Sequence, residues 1–108
     1  MRFATGWTAW VEEDDLDVIA AIFEAALTRE QAERLAELMR EARPTRPAAV
    51  LSTALLVENG QAQLVAFWPD RESFDRYLQT AEEPRGTELM RKVGVEPTLR
   101  IADVLELG

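Results

Sequence analysis

The apolar positions along the chain fall into four strand-like runs and two longer stripes with helical spacing. Residues 16–25 form an almost wholly apolar run, which is typical of a strand covered on both faces. Two further runs flank Asn59-Gly60, the dipeptide most typical of a two-residue β-hairpin turn. After Pro97, the alternation over residues 99–107 predicts a last strand whose apolar face is interrupted at Asp103.

The turn residues also predict the register of the hairpin, because a two-residue turn pairs Glu58 with Gln61. One face then carries Leu51, Thr53, Leu55 and Val57 opposite Trp68, Ala66, Leu64 and Ala62. The other face carries Ser52, Ala54 and Leu56 opposite Phe67, Val65 and Gln63. Both faces are mostly apolar, so we expect both to be covered.

Three helices are predicted between the strands. Thr28 and Gln31 form a capping box at the start of the first helix, which the prolines at 44 and 47 end. Its apolar stripe consists of Ala32, Leu35, Leu38, Met39 and Ala42. A second helix covers residues 71–81 behind the cap Asp70.

The third helix is short. Thr87 is expected to cap it, and it runs through Val93 to a stop at Gly94. The predicted element order is therefore strand, helix, strand, strand, helix, strand, with one short extra helix before the last strand. This order indicates an α+β protein with a ferredoxin-like βαββαβ fold and an antiparallel sheet.

The length of 108 residues suits a single domain. We place this domain at residues 16–108 and an N-terminal arm with an acidic loop at residues 1–15. The arm carries Trp7 and Trp10, whose burial would be favourable, so we expect it to pack as an extra strand or strap.

Composition narrows the classes of function. Twenty acidic residues against twelve basic ones give a net charge of −8, which disfavours nucleic acid and anionic membranes as partners. The chain has neither Cys nor His, which argues against disulfides, thiol catalysis, Ser-His triads, His-ligated haem and standard zinc sites. We therefore expect no metal and no cofactor. No apolar run reaches the length of a signal peptide or a membrane span, so a cytoplasmic protein is expected.

A four-stranded sheet with its helices on one face leaves the other face bare. Because monomers seldom expose large apolar patches, we expect two sheets to pack face to face in a homodimer with a cavity between them. Leu55 and Leu64 would then lie between the sheets. The alternative is a monomer whose N-terminal segment folds over the same face.

The segment Trp68-Pro69-Asp70-Arg71-Glu72-Ser73-Phe74 places a Trp at the end of the third strand, followed by a cap, a Glu and an aromatic residue. This segment and the element order over residues 16–107 resemble the antibiotic-biosynthesis-monooxygenase-like family. The resemblance implies a dimeric α/β barrel with a ferredoxin-like protomer. The family includes cofactor-free oxygenases that act on polycyclic aromatic substrates, and haem-degrading enzymes.

The resemblance does not extend to haem degradation. It puts Tyr77 where the haem-degrading enzymes have an aromatic residue in the pocket. However, Thr87 stands where those enzymes have an iron-binding His, and the first strand lacks their Asn. The oxygenase branch of the family therefore fits the chain better.

For an oxygenase, the resemblance implies an apolar pocket for an aromatic substrate. The candidate substrate-binding residues are Trp68, Tyr77, Leu51, Leu55 and Leu64. Trp68 could instead be a structural residue that closes the barrel, and Tyr77 a half-buried helix residue whose hydroxyl meets water.

Candidates for catalysis are Asp103 and Arg91. A carboxylate desolvated on the last strand would have a raised pKa and could act as a general base. If the strand is bulged or frayed there, Asp103 meets water instead. Arg91, like Arg85 and Arg100, could pair with an enolate or phenolate, or could be a surface ion-pair partner.

Two classes of function remain from the sequence. The first is a monooxygenase-like enzyme, a cofactor-independent oxygenase acting on an aromatic or polyketide-like substrate. The second is a non-catalytic dimeric module that binds a small apolar ligand or a partner protein. Polar groups inside the cavity favour the first class, and a cavity filled by side chains favours the second.

Overall fold

The computed structural model of the chain describes residues 17–107, which fold as one antiparallel sheet with a single helical layer. The strands are β1 (Ile19–Ala26), β2 (Ser52–Glu58), β3 (Gln61–Trp68) and β4 (Thr98–Asp103). The helices are α1 (Arg29–Ala42), α2 (Arg71–Thr80) and α3 (Arg85–Lys92), and a 3-10 turn (Arg43–Thr45) follows α1. The predicted N-terminal arm and acidic loop lie outside the described residues.

The strand order is β2-β3-β1-β4, and each neighbouring pair is antiparallel. Together with the helices between the strands, this order confirms the predicted α+β, ferredoxin-like arrangement. No helix within residues 17–107 is long and apolar enough to cross a membrane.

The hairpin register is the predicted one, with Glu58 opposite Gln61 and Leu55 opposite Leu64. Asn59 and Gly60 have φ angles of 51° and 78°, as a type I′ turn requires at both central positions. The turn thus sets which side chains of β2 and β3 share a face.

Capping holds α1 and α2 in place. The Thr28 hydroxyl accepts from the Gln31 N–H at 3.1 Å, and the Gln31 side chain accepts from the Thr28 N–H at 2.9 Å. At the start of α2, the Asp70 carboxylate accepts from the Ser73 N–H at 2.7 Å. Both predicted caps are therefore confirmed, and they satisfy helix N–H groups that have no partner within the helix.

The third helix starts earlier than predicted. It begins at Arg85 behind Pro84, so Thr87 lies inside the helix and does not cap it. Pro84 holds an extended backbone, and the Arg85 N–H donates to the Tyr77 hydroxyl at 2.7 Å, which supplies the partner that a side-chain cap would have given. The predicted stop is correct, since Gly94 has a φ of +91°.

The core lies between the helices and one face of the sheet. It is built on residues that alternate along the two central strands, with the helices packed above them; its fully buried side chains include Phe74, Leu35 and Met90. Leu55 and Leu64 belong to this helix-covered face. The expectation that they lie between two sheets is therefore wrong, because their register places them under the helices.

The opposite face of the sheet, which we call the far face, is covered by none of the described helices. Its apolar residues include Ala20, Ile22, Ala54, Leu56, Val65, Phe67 and Ala102. Three polar side chains interrupt the apolar surface of the far face. The Glu24 carboxylate accepts a hydrogen bond from the Gln63 side chain at 3.1 Å, and it lies 3.7 Å from the Arg100 guanidinium. The far face thus combines apolar side chains with the paired carboxylate of Glu24 and a second carboxylate, Glu58, at the end of β2.

The last strand is shorter than predicted. It ends at Asp103, and beyond it Leu105 and Leu107 are 76% and 56% exposed. The first strand likewise begins at Ile19, three residues after the predicted start at residue 16.

Candidate functional site

A cavity opens between the helical layer and the sheet, on the same side as the core. It has a volume of about 80 Å³ for a water-sized sphere, and residues of all three helices and of three strands line it. The floor is formed by Phe23, Leu64 and Ala66, and the helices contribute Met39, Phe74 and Leu89. Each of these side chains is apolar, so the interior of the cavity favours a hydrophobic ligand.

Three aromatic rings, which we call the aromatic wall, form one side of the cavity: Trp68, Phe74 and Tyr77. The Trp68 ring lies 5.3 Å from that of Phe74, edge-on, and 5.1 Å from that of Tyr77. Trp68 ends β3, and the Asp70 cap fixes the start of α2 two residues later, so that Phe74 and Tyr77 project from one side of the helix. These distances are those of favourable aromatic pairs.

The wall contains one unsatisfied donor. The Trp68 side chain is 3% exposed, and its buried indole nitrogen has no hydrogen-bond acceptor among residues 17–107. A buried donor without a partner costs free energy, which a ligand oxygen within reach would recover. Trp68 thus combines a stacking surface with a free polar group.

Tyr77 is oriented by the backbone of α3. Its hydroxyl accepts from the Arg85 N–H at 2.7 Å, which leaves the phenolic hydrogen available to donate. The next residue, Gly86, lies against Phe23, and a Cβ at this position would overlap the Phe23 ring. The glycine therefore lets α3 approach the sheet closely enough to close the cavity.

Three arginines, which we call the arginine rim, complete the lining: Arg43, Arg46 and Arg85. Arg85 donates from its two terminal nitrogens to the Thr45 hydroxyl at 3.2 Å and to the Thr45 carbonyl at 3.0 Å. This bond ties α3 to the turn that carries Arg43 and Arg46. None of the described lining residues is a carboxylate, so the lining carries positive groups and no acidic ones.

The structure brings three of the five candidate substrate-binding residues together. Trp68, Tyr77 and Leu64 line the cavity, whereas Leu51 and Leu55 do not. Leu51 is 48% exposed at the start of the hairpin, and Leu55 shares the helix-covered face without reaching the cavity. That any of them binds a substrate stays a prediction.

The candidate catalytic residues lie elsewhere. Asp103 is exposed at the end of β4 and lines a shallow depression with Asp17 and Asp70. Arg91 is exposed and held by two carboxylates, Glu83 and Glu96; its guanidinium lies 2.8 Å from Glu96. The Glu96 hydrogen bond, with the charge of Glu83, raises the pKa of Arg91, and the same bond lowers the pKa of Glu96. Arg91 is therefore engaged in a surface ion-pair network away from the cavity.

Of the three arginines considered from the sequence, Arg85 alone reaches the cavity, since Arg100 pairs with Glu24 on the far face. Sequence reasoning missed Arg43 and Arg46. The signal available was their place directly after an amphipathic helix and around Pro44, where a tight turn brings the chain back toward the sheet.

The cavity offers few ligands for a metal or cofactor. No group of three or more metal-ligating side chains occurs within the part of the chain that the structure describes. Tyr77 is the one phenol of the chain, and its oxygen already accepts a backbone hydrogen bond. The expectation that the protein uses no cofactor stays a prediction.

Comparison with solved structures shows which fold this is. The chain is similar to a Bordetella bronchiseptica protein provisionally assigned as an antibiotic biosynthesis monooxygenase, with 15% identity, a TM-score of 0.64, and coverage of 83% of this chain and 99% of that one. It is also similar to SnoaB, a cofactor-independent oxygenase from Streptomyces nogalater, with 14% identity, a TM-score of 0.53 and coverage of 85% and 95%. A third similar structure, the protein NE2512 of unknown function from Nitrosomonas europaea, has 13% identity, a TM-score of 0.62 and coverage of 87% and 95%.

No family profile and no curated protein matches the chain by sequence, so the likeness rests on structure alone. The structural likeness extends over most of the chain and over nearly the whole of each similar protein. At these identities it establishes the architecture. The chain therefore has the fold of the antibiotic-biosynthesis-monooxygenase-like proteins.

Proposed function

We propose that the cavity binds one ring of a planar aromatic or polyketide-like substrate, and that the protein is a cofactor-independent oxygenase. The observation that carries the proposal is the aromatic wall, which faces an open apolar space next to a rim of three arginines. A filled cavity would have favoured a purely structural role for Trp68 and Tyr77. SnoaB, which has the same fold, is an oxygenase of this kind.

The chemistry follows from the charges of the site. A phenol or enol gives up an electron to dioxygen more easily as its anion, and positive side chains favour that anion. No described lining residue can act as a carboxylate base, so we propose that the proton leaves to water at the mouth of the cavity while the arginine rim stabilises the anion. Arg85 keeps one free N–H on each terminal nitrogen for this role.

The reaction is balanced without a cofactor when the substrate supplies all the electrons. With 1-naphthol as the probe, dioxygen adds one oxygen atom at the free ring carbon opposite the hydroxyl. The other oxygen atom leaves as water with the two hydrogens, which gives 1,4-naphthoquinone. One dioxygen is consumed for each quinone formed.

The test is oxygen uptake with 1-naphthol, compared between two variants of α1. Ala42 lines the cavity and Ala36 does not, and both are half-buried. We expect the wild type to raise the rate above that without protein, Ala42→Phe to lose the effect by filling the cavity, and Ala36→Phe to keep it. Equal rates with and without protein, together with no binding of 1-naphthol by calorimetry, would refute the proposal.

The second class of function, a non-catalytic module, is favoured by one observation. The described lining contains no carboxylate, and the chain contains no His or Cys, so a dedicated proton acceptor is missing from the cavity. Binding of 1-naphthol that Ala42→Phe abolishes, without any oxygen uptake, would support a ligand-binding module instead of an oxygenase.

A further inference from the structure

The arginine rim differs from most other arginines of the described residues. Six exposed arginines elsewhere are paired with carboxylates one helical turn away or across the surface, and Arg40 on α1 is the exception; the paired ones are Arg29, Arg34, Arg71, Arg76, Arg91 and Arg100. Arg43 and Arg46 have no carboxylate within ion-pair distance among residues 17–107, and both line the cavity. The mouth of the cavity is thus positive in a chain whose net charge is −8.

Arg85 adds a third positive charge to the mouth of the cavity, and a nearby carboxylate partly neutralises it. Its Nε lies 3.6 Å from the Glu88 carboxylate, and its terminal nitrogens donate to Thr45. One carboxylate against three guanidinium groups leaves a local excess of two positive charges. Such an excess at the edge of an apolar cavity favours a ligand with an apolar body and an anionic end.

The size of the cavity limits the apolar body. A volume of about 80 Å³ has room for roughly five to eight water molecules, which is about the space of one six-membered ring. The aromatic wall favours a flat ring there. The buried Trp68 N–H has no acceptor among the described residues, so a ring oxygen that reached it would recover the cost of its burial.

We infer that the physiological ligand is a single-ring aromatic carboxylate with a ring hydroxyl, bound with its ring against the aromatic wall and its carboxylate at Arg43 and Arg46. This inference rests on the proposed function, because it uses the same cavity and names the class of molecule that enters it. The carboxylate, rather than a larger ring system, supplies the affinity.

Calorimetric titration at low salt with three probes tests the inference. They are 3-hydroxybenzoate, its neutral analogue 3-hydroxybenzamide, and cyclohexanecarboxylate, which keeps the charge and loses the flat ring. We expect the wild type to prefer the benzoate over the amide by about tenfold or more, as charge-assisted hydrogen bonds would give. Cyclohexanecarboxylate should bind more weakly than the benzoate.

Variants at the rim locate the charge effect. The double variant Arg43→Gln/Arg46→Gln should lose the preference for the benzoate and keep its affinity for the amide. Arg40→Gln is the matched control, since Arg40 is exposed on α1, lacks a carboxylate partner among the described residues and does not line the cavity. Added salt should weaken the benzoate more than the amide.

The outcomes separate this inference from the proposed function. Equal affinities for benzoate and amide in the wild type, or a double variant that keeps the preference, would overturn the aromatic carboxylate while leaving an aromatic pocket intact. Binding of 1-naphthol with no binding of 3-hydroxybenzoate would overturn it in the same way. Tight, rim-dependent binding of the benzoate without any oxygen uptake would uphold it and refute the oxygenase.

Discussion

Asp70 is the residue that links the end of β3 to the aromatic wall. Its carboxylate accepts from the Ser73 N–H, and this bond lowers the pKa of Asp70 below its ordinary value. The folded protein therefore favours the ionised form. The stabilisation is fully present above the pKa of Asp70 in the unfolded chain, and it is lost as the pH falls through the lower pKa of the folded state.

Asp70→Asn should keep an acceptor for the cap but remove its dependence on pH. We expect it to lower the melting temperature at pH 7, and the difference from the wild type to shrink as the pH falls below about 4. Asp75→Asn is the control, because Asp75 is an exposed partner of Arg71 and not a cap. A difference between wild type and Asp70→Asn that stays constant down to acid pH would contradict this account.

The close approach of α3 to β1 depends on Gly86. A Cβ there would overlap the ring of Phe23, which is itself 4% exposed and cannot move freely. We expect Gly86→Ala to destabilise the protein by about 1–3 kcal/mol, the usual cost of overpacking. Urea denaturation measures the change in the free energy of unfolding, and Thr87→Ala on the same helix is the control. An unchanged free energy of unfolding for Gly86→Ala would show that α3 does not pack against the sheet in this way.

Elements with local signals were predictable from the sequence. The Asn59-Gly60 turn and the Thr28 capping box act over a few residues, so the hairpin register and the start of α1 follow from the residues alone. The start of α3 could not be predicted from nearby residues. The partner of the Arg85 N–H is the side chain of Tyr77, which belongs to the preceding helix.

The location of the cavity could not be predicted for a similar physical reason. Both faces of the hairpin are apolar, so the pattern cannot decide which face the helices cover. Trp68 follows from the motif and Tyr77 from the family resemblance, whereas Arg43 and Arg46 reach the cavity through a turn whose direction depends on tertiary packing.

At the scale of the whole molecule, we propose that the far face packs against a second copy of the chain, as the predicted homodimer requires. Leu56 is 54% exposed on this face, which none of the described helices covers. Light scattering should give a dimer near twice 12.2 kDa at micromolar concentration.

A charge within such an interface should weaken it, so Leu56→Glu, on the edge strand β2, should shift the protein toward monomer. Leu105→Glu should not, because Leu105 is exposed beyond the end of β4. A monomeric wild type would exclude the second copy and favour the N-terminal segment as the cover of the far face.

The most direct measurement of the central claim is where an aromatic ligand binds, read from methyl chemical shifts in the NMR spectrum as 1-naphthol is added. The aromatic ring should shift the methyl signals of Leu64 and Leu89, which line the cavity under the helices. The signals of Val65 and Leu56, on the far face, should stay unchanged and serve as the internal control. Shifts confined to Val65 and Leu56 would contradict the account, because the ligand would then lie against the opposite face of the sheet.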